Sequence, residues 1–570
     1  MKKAGYTRRN FLKTLGIGLA YLTVPGCVSN TKLSGQKCST KRPNIILIMA
    51  DDMGYSDIGC YGGEIDTPNL DNLAAHGLRF TQFYNTARCC PTRASLLTGL
   101  YPHQASIGHM TVENAEANEE GQEQHFDYGY PGYRGSLNRS CVTIAEALKP
   151  VGYHTLMSGK WHVGTFEGMW PVDRGFDEYF GVIRGACNYW NPAPKRLLLH
   201  NRKRIKPWDG FYTTDAFTDY AIKFISEASR ADDNPFFCYL AYNAPHWPLH
   251  AWPEDIAKYR GKYRKGWDAI RKERYERMIE MGLIKAEWEL SDRDAPAWED
   301  IPDERKDELD FRMAIYAAMI DRMDQNIGRL VKTLKDLGEL DNTLILFFVD
   351  NGACAEDNEE GYEDVYGAGP SRQLGTKKGY FLTYGRAWAN ASNTPYRKYK
   401  HWSHEGGVAT PLIAHWPEKI KDHGALRHEP AHLIDLMPTC LQLAQAEYPE
   451  HYKGRAILPM EGVSLLPAFD DKPLDRETIY FEHEGNRAVR MGKWKLVAEH
   501  DEPWRLYDME ADRTEMRDLS DVHPQLRAKM IRMYDTWAKR CGVLPWPVRR
   551  KAGFEPPERD YPKTWKDLKL

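Results

Sequence analysis

The sequence predicts an α/β fold, a sheet with helices on both faces, followed by a smaller C-terminal subdomain of antiparallel strands and one helix. Three observations carry that prediction. Residues 44–50 (NIILIMA) form an unbroken apolar run of strand length, and Asp51-Asp52 follow at once. A strand apolar on both faces belongs inside a sheet that is covered on both sides. The pattern recurs at 235–241, which runs into Asn243-Ala244-Pro245-His246, and at 343–349, which runs into Asp350-Asn351-Gly352. Between the runs lie helical repeats such as Ile315, Met319, Met323, Ile327, Leu330, Leu334 and Leu337, closed by Gly338. In such alternating sheets ligands gather at the carboxyl ends of strands, so the polar residues after each run are the natural site candidates.

Past about residue 422 the pattern changes. A helix-like segment at 437–446 carries Pro438 in its first turn. Short strands follow at 487–490 and 493–497, then Leu506-Tyr507-Asp508 and a helix at 524–540. The expected organisation is a targeting segment and linker at 1–40, a catalytic domain at 41–450 and a C-terminal subdomain at 451–570. The charged stretch 259–312 reads as a solvated helical insertion.

Composition excludes several classes. Lys and Arg number 77 against 80 Asp and Glu, a net charge of -3, which argues against a broad basic face and hence against nucleic acid as a partner. Any anionic ligand must be held by a few placed cations. Eleven cysteines are an odd number, sparse for 570 residues, so a disulfide framework does not carry the fold.

Lys2, Lys3, Arg8 and Arg9 precede an apolar run at 15–24 and then Pro25-Gly26-Cys27. That run, about 10 residues, is too short for a bilayer that needs about 20, so it reads as a removable signal. Residues 7–13 (TRRNFLK) resemble the twin-arginine export signal, which implies export machinery as a partner. Residues 24–27 (VPGC) resemble a lipoprotein box in which Cys27 is acylated. The expected location is periplasmic, or lipid-anchored at the cell surface through Cys27.

The sharpest signal is 89–99 (CCPTRASLLTG). Pro91 suits a first helical turn, which places residue 89 at a helix N-terminus, where free N–H groups and the helix dipole favour an anion. The whole string resembles the signature of the type I sulfatases, in which the first Cys of Cys-x-Pro-Ser-Arg is converted to formylglycine and Leu-Thr-Gly follows. Thr92 stands where that family most often has Ser and keeps the hydroxyl. The resemblance makes Cys89, and not Cys90, the converted residue, and it implies a formylglycine-generating maturation enzyme as a partner. Flanking elements extend it over most of 43–545 and imply a large mixed sheet of the alkaline-phosphatase-like kind.

Asp51, Asp52, Asp350 and Asn351 offer oxygen donors suited to a hard divalent cation. In the family the matching positions hold one calcium ion. Residues 159–164 (GKWHVG) match the family's Gly-Lys-Trp-His-Leu-Gly, which puts Lys160 on the sulfate and His162 beside the formylglycine hydrate. Residues 243–246 match the segment whose His, here His246, faces the bridging ester oxygen. Residues 399–407 (YKHWSHEGG) resemble Gly-Lys-Gly-x-x-x-Glu-Gly-Gly and place Lys400 on the sulfate, with His401 in place of a small Gly. The resemblance then implies sulfate ester hydrolysis: Arg93, Lys160, Lys400 and Ca²⁺ balance the sulfate charge, and Asp350, His246 and His162 move protons.

Two alternatives stay open at this point, a phosphonate or phosphate ester hydrolase on the same fold and a non-catalytic protein that binds sulfated glycans. The expected substrate is a sulfated saccharide or an aryl sulfate, cleaved by an exo-acting carbohydrate sulfatase with arylsulfatase activity. Residues 184–190 and 483–487 are polar and aromatic enough to hold a sugar, with Asn188, Trp190, His483 and Arg487 as the candidates. The competing reading is that both segments only join the two subdomains.

Overall fold

The computed structural model describes residues 41–111, 127–355, 375 and 382–555. The targeting segment and Cys27 lie outside the described residues. Eleven strands build one mixed sheet: β1 (Asn44–Asp51), β2 (Leu78–Tyr84), β3 (His154–Gly159), β4 (Glu178–Val182), β5 (Leu198–His200), β6 (Lys203–Arg204), β7 (Phe236–Pro245), β8 (Thr343–Val349), β9 (Ala409–His415), β10 (Ala425–Arg427) and β11 (Ala431–His432). Their order is β10-β2-β9-β8-β1-β7-β3-β4-β5-β6, with β11 beside β2.

β1 lies between β8 and β7 and runs parallel to both, and β3 continues the parallel set beyond β7. β9 is antiparallel to its neighbours β2 and β8. The carboxyl ends of β8, β1, β7 and β3 therefore open side by side at one edge. Every residue of β1, β7 and β8 is buried, as their unbroken apolar runs require. Alternation divides β1 between two cores: Ile46 and Ile48 face one, and Ile45, Leu47 and Met49 face the other. The first core includes the helices Thr213–Ala231 and Asp303–Asp336, and the second includes Cys89–Thr98 and Leu436–Ala444.

The apolar repeat from Ile315 is the later part of the helix Asp303–Asp336, and Gly338 just past its end adopts a φ of 73°. The expectation of a solvated insertion at 259–312 is corrected. Its helix Gly266–Glu280 buries Trp267, Ile270, Arg271, Arg274 and Met278. Arg274 donates to Asp57 at 2.7 Å and to Glu64 at 2.8 Å. A charge-rich composition carries no information on which charges meet partners indoors, and here two acidic residues some 200 positions upstream supply them.

Beyond a short hairpin of β12 (His451–Tyr452) and β13 (Arg455–Ala456) lies a separate antiparallel sheet of β14 (Thr478–His483), β15 (Asn486–Met491), β16 (Trp494–Ala498) and β17 (Arg505–Asp508). The helix Pro524–Cys541 packs on it, with Trp537 stacked on Tyr480 at 5.1 Å. Lys495 of β16 donates to Glu405 at 2.8 Å and pairs with Glu515 at 2.9 Å, while Arg513 donates to Glu405 at 2.9 Å. All four are buried, so each charge depends on its partners for compensation. Lys495→Met leaves two buried carboxylates short of a partner and is expected to cost about 3–5 kcal/mol. Urea unfolding measures it, and a loss below about 1 kcal/mol would contradict this view of the joint.

Candidate active site

Four strand ends deliver the polar residues. β1 closes with Asp51, and Asp52 follows at a φ of 65°. β8 leads into Asp350 and Asn351, and β7 into His246. β3 ends at Gly159, whose φ is 120° and where a Cβ would lie 1.9 Å from the Ala241 carbonyl oxygen of β7. Only glycine permits that approach, which packs the end of β3 tightly on β7 and brings Lys160 within reach of Asp51 at the end of β1.

The helix Cys89–Thr98 is buried at all ten positions and ends on Gly99 at a φ of 68°. Thr92 Oγ1 accepts from the Thr86 amide at 3.1 Å, so the hydroxyl retained at that position ties down the strand-to-helix loop. The two adjacent cysteines, whose sulfur atoms lie within 4.8 Å of each other, are affected in opposite directions. Cys90 Sγ lies 3.5 Å from Met110 Sδ, and burial pushes its thiol well up. Cys89 groups with His162, their ligand atoms within 4.8 Å. Its thiol is held well below the ordinary range by the Cys90 hydrogen bond, with Lys160 and His162 outweighing burial.

Asp51, Asp52, Asp350 and Asn351 meet beside the helix mouth. Lys160 Nζ donates to Asp51 Oδ2 at 2.5 Å, and Arg93 lies 3.4 Å from the same oxygen. Arg93 also donates to Asp350 Oδ2 at 3.0 Å and to the Lys160 carbonyl at 2.8 Å. Asn351 Nδ2 donates to Asp52 Oδ1 at 2.7 Å, and Lys400 Nζ donates to Asp52 Oδ2 at 2.8 Å. Burial alone would raise Asp51, but Lys160, His246 and Arg93 hold it below the usual carboxylate range. Asp350 is pushed well up by burial and by the Asp51 charge, against Arg93.

This group fits a divalent cation. Asp51 Oδ1 and Asn351 Oδ1 are buried with no hydrogen-bond partner among the described residues. Each such atom would be costly without a ligand. Three carboxylates and one carboxamide, with two inward oxygens unclaimed, form an oxygen-only set suited to a hard ion.

His246 Nε2 lies 3.2 Å from Asp52 Oδ2 and 3.4 Å from Lys400 Nζ, while Nδ1 faces the Trp247 carbonyl at 2.6 Å. A carbonyl only accepts, so the proton stays on Nδ1 and Nε2 is the titrating atom. Lys400 comes from a loop sealed by the short helix Glu405–Val408, where a Cβ on Gly407 would meet the Trp402 carbonyl oxygen at 1.9 Å. A cavity of about 340 Å³ opens above Lys400, walled by Arg88, His401, Trp402 and Glu484. Sequence reasoning passed over Arg88, and it included Glu484 only within the segment 483–487, choosing His483 and Arg487 there instead. Arg88 directly precedes Cys89, and that adjacency was the available signal; for Glu484 it was the polar segment 483–487, whose position in a turn after β14 only the fold shows.

The four substrate-binding candidates do not line this cavity. Asn188 Oδ1 accepts from the amides of Trp190 and Asn191, and Trp190 packs on His250 and Tyr212. Their neighbour Tyr189 does reach the site's support, since its hydroxyl contacts the carbonyls of Asn243 at 2.6 Å and His246 at 2.8 Å. Arg487 lies over the Trp504 ring. His483 is fully buried behind Glu484.

The family model for sulfatases matches residues 43–446, and one described as N-sulphoglucosamine sulphohydrolase, C-terminal, matches 398–536. An uncharacterized sulfatase of Schizosaccharomyces pombe is 34% identical over 544 residues, covering 90% of this chain and 96% of its own. An arylsulfatase of Klebsiella aerogenes is 35% identical over 443 residues, covering 75% and 91%. Among solved structures, Ps i-CgsB in complex with k-i-k-neocarrahexaose is similar at a TM-score of 0.64 and 28% identity, covering 90% of this chain and 95% of that one.

The depressed Cys89 thiol has a direct readout in protein whose Cys89 is still a thiol. Iodoacetamide labelling of Cys89, followed by peptide mass, should rise with an apparent pKa below the ordinary cysteine value of about 8.5. Lys160→Met removes a charge that favours the thiolate and should move the profile upward. An unshifted wild-type profile would contradict the electrostatics described.

Proposed function

The chain belongs to the sulfatase family, whose members hydrolyse sulfate esters, and on that premise we propose that it cleaves the S–O bond of organic sulfate monoesters with Cys89, converted to formylglycine, and one Ca²⁺. The observation that carries this reading is the placement of Cys89 at a buried helix mouth, grouped with His162 and beside Lys160, against the oxygen cluster. A hydrated formylglycine supplies two hydroxyls on one carbon, one to attack sulfur and one whose deprotonation expels the sulfate, whereas a thiol supplies neither. Asp51, Asp52, Asp350 and Asn351 would hold the calcium, which when bound adds positive charge where sulfate charge must be balanced.

The chain's own residues divide the remaining work. Lys160 and Lys400 bring ammonium groups to the two sides of the pocket, and Arg93 locks Asp51 and Asp350 in register. Asp350, held in place by Arg93 at 3.0 Å, accepts the proton of the attacking hydroxyl. His246 Nε2 delivers a proton to the departing oxygen, with Lys400 3.4 Å away to support it. His162, grouped with residue 89, takes the proton of the second hydroxyl.

The open cavity above Lys400 suits a saccharide leaving group, and the similarity to Ps i-CgsB, solved with k-i-k-neocarrahexaose, supports a carbohydrate sulfatase, while the similarity to the Klebsiella aerogenes arylsulfatase supports turnover of aryl sulfates as well. Exo action, conversion of Cys89 by a maturation enzyme, twin-arginine export and attachment through Cys27 complete the proposal.

Peptide mass, ester selectivity and metal-dependent stability test it. In protein from the native host, the peptide carrying residue 89 should have the mass of an aldehyde. Sulfate esters should turn over in preference to matched phosphate esters, and Cys89→Ala should lower kcat by at least about 10³-fold. An active protein with an unconverted thiol, or a preference for phosphate, would overturn the reading. Chelation should lower the melting temperature and Ca²⁺ restore it, with about 2.7 kcal/mol gained at 100 times Kd. Asp51→Asn should blunt that response, and an equal response in both proteins would place the ion elsewhere.

A further inference from the structure

We propose a second metal site, in which His109, His401, His483 and Glu484 hold one borderline divalent cation of the Zn²⁺ class at the wall of the cavity above Lys400. Glu484 stands at its centre, in the turn between β14 and β15, at a φ of 51°. Its Oε1 lies 2.8 Å from His109 Nδ1 and 3.4 Å from His483 Nε2, and its Oε2 lies 2.9 Å from His401 Nδ1. The ligand atoms of His109, His483 and Glu484 all fall within 4.8 Å of one another. Tetrahedral zinc, at about 2.0–2.2 Å from N and O ligands, spaces its ligand atoms roughly 3.3–3.6 Å apart. The three contacts at Glu484, 2.8, 2.9 and 3.4 Å, lie at or somewhat below that range, so side-chain shifts that spread the imidazoles would open the space for an ion, with His401 approaching from the cavity side.

Two independent features point to a ligand. The His483 side chain is fully buried, yet neither of its ring nitrogens makes a hydrogen bond among the described residues. An unsatisfied buried group of this kind costs about 1–3 kcal/mol, and a bond to a metal would remove that cost. His401, for its part, holds a φ of 93°, a conformation suited to glycine and costing another residue about 1–3 kcal/mol. An imidazole kept in that backbone, aimed at Glu484 and 5.3 Å from the His483 ring, argues that the ring itself is needed.

Donor chemistry separates this site from the oxygen cluster. Three imidazoles and one carboxylate select borderline ions, while three carboxylates and a carboxamide select hard ones. His401 and Glu484 also face the cavity shared with Lys400 and Arg88. A metal there would have an outer position turned toward a substrate hydroxyl or water.

The test uses the full protein equilibrated with excess Ca²⁺, so that the oxygen cluster is saturated. After gel filtration with one equivalent of Zn²⁺, elemental analysis should find about one zinc per chain, the stoichiometry of a single closed site. Co²⁺ in its place should give the intense visible bands of tetrahedral cobalt, without the near-ultraviolet charge-transfer band of a thiolate. That second condition excludes the Cys89, Cys90 and His162 group as the binding site. Glu484→Gln and His401→Ala, each checked for an unchanged circular dichroism spectrum, should weaken Zn²⁺ binding by at least about tenfold, as losing one ligand implies. No zinc retained by the wild type, a thiolate band, or undiminished binding in both variants would overturn the assignment. Because metal content is read without substrate, failure here is distinguishable from failure of the sulfatase mechanism.

Discussion

Three carboxylates crowded together without solvent set the terms for the rest of the site. Asp51, Asp52 and Asp350 are all buried, and like charges about 4 Å apart repel by roughly 4 kcal/mol at an effective dielectric constant of 20. Such a group persists only among cations. Arg93, Lys160 and Lys400 therefore converge on it from a helix, a strand end and a loop that are far apart in sequence. The order β8-β1-β7-β3 brings their anchor points to one edge, and the apolar pairing of β1 with β7 and β8 fixes that order. Cys89 inherits its surroundings from this arrangement, since Arg93 of its own helix is the residue held by Asp51 and Asp350.

The C-terminal sheet is part of the same design. Glu405 begins the short helix that seals the Lys400 loop, and its carboxylate is held by Lys495 and Arg513 from beyond β15. Glu484, from the turn after β14, walls the cavity above Lys400. One ion cluster thus couples the smaller sheet to the position of a lysine at the oxygen group. This accounts physically for the Glu405-Gly406-Gly407 string, in which the carboxylate anchors and the glycines admit close backbone approach.

Much of this was legible in the sequence. The three apolar runs mark β1, β7 and β8 because a strand buried on both faces leaves no polar alternation to confuse the reading. Asp51, Asp52, Asp350, Asn351 and His246 come directly after the three apolar runs, whereas Lys160 and His162 rest on the resemblance of 159–164 to a family motif. The environment of residues 184–190 and 483–487 was not legible. Aromatic and polar character suits a sugar as well as it suits a support, and only the fold reveals that Trp190 is packed on His250 while Tyr189 braces the His246 turn. The charged stretch misled for a related reason: Arg274 meets its partners Asp57 and Glu64 across more than 200 residues, a distance no local pattern spans. His401 was visible as a departure from a glycine, but its backbone strain and its pairing with Glu484 were not.

The central claim is that residue 89 attacks sulfur and not carbon. Hydrolysis of a sulfated sugar in ¹⁸O-labelled water, with both products analysed by mass, addresses it directly. Attack at sulfur places the label in the released sulfate and none in the sugar hydroxyl. Label in the sugar hydroxyl would mean that the C–O bond breaks, and the roles assigned to Cys89, His162 and His246 would fall together.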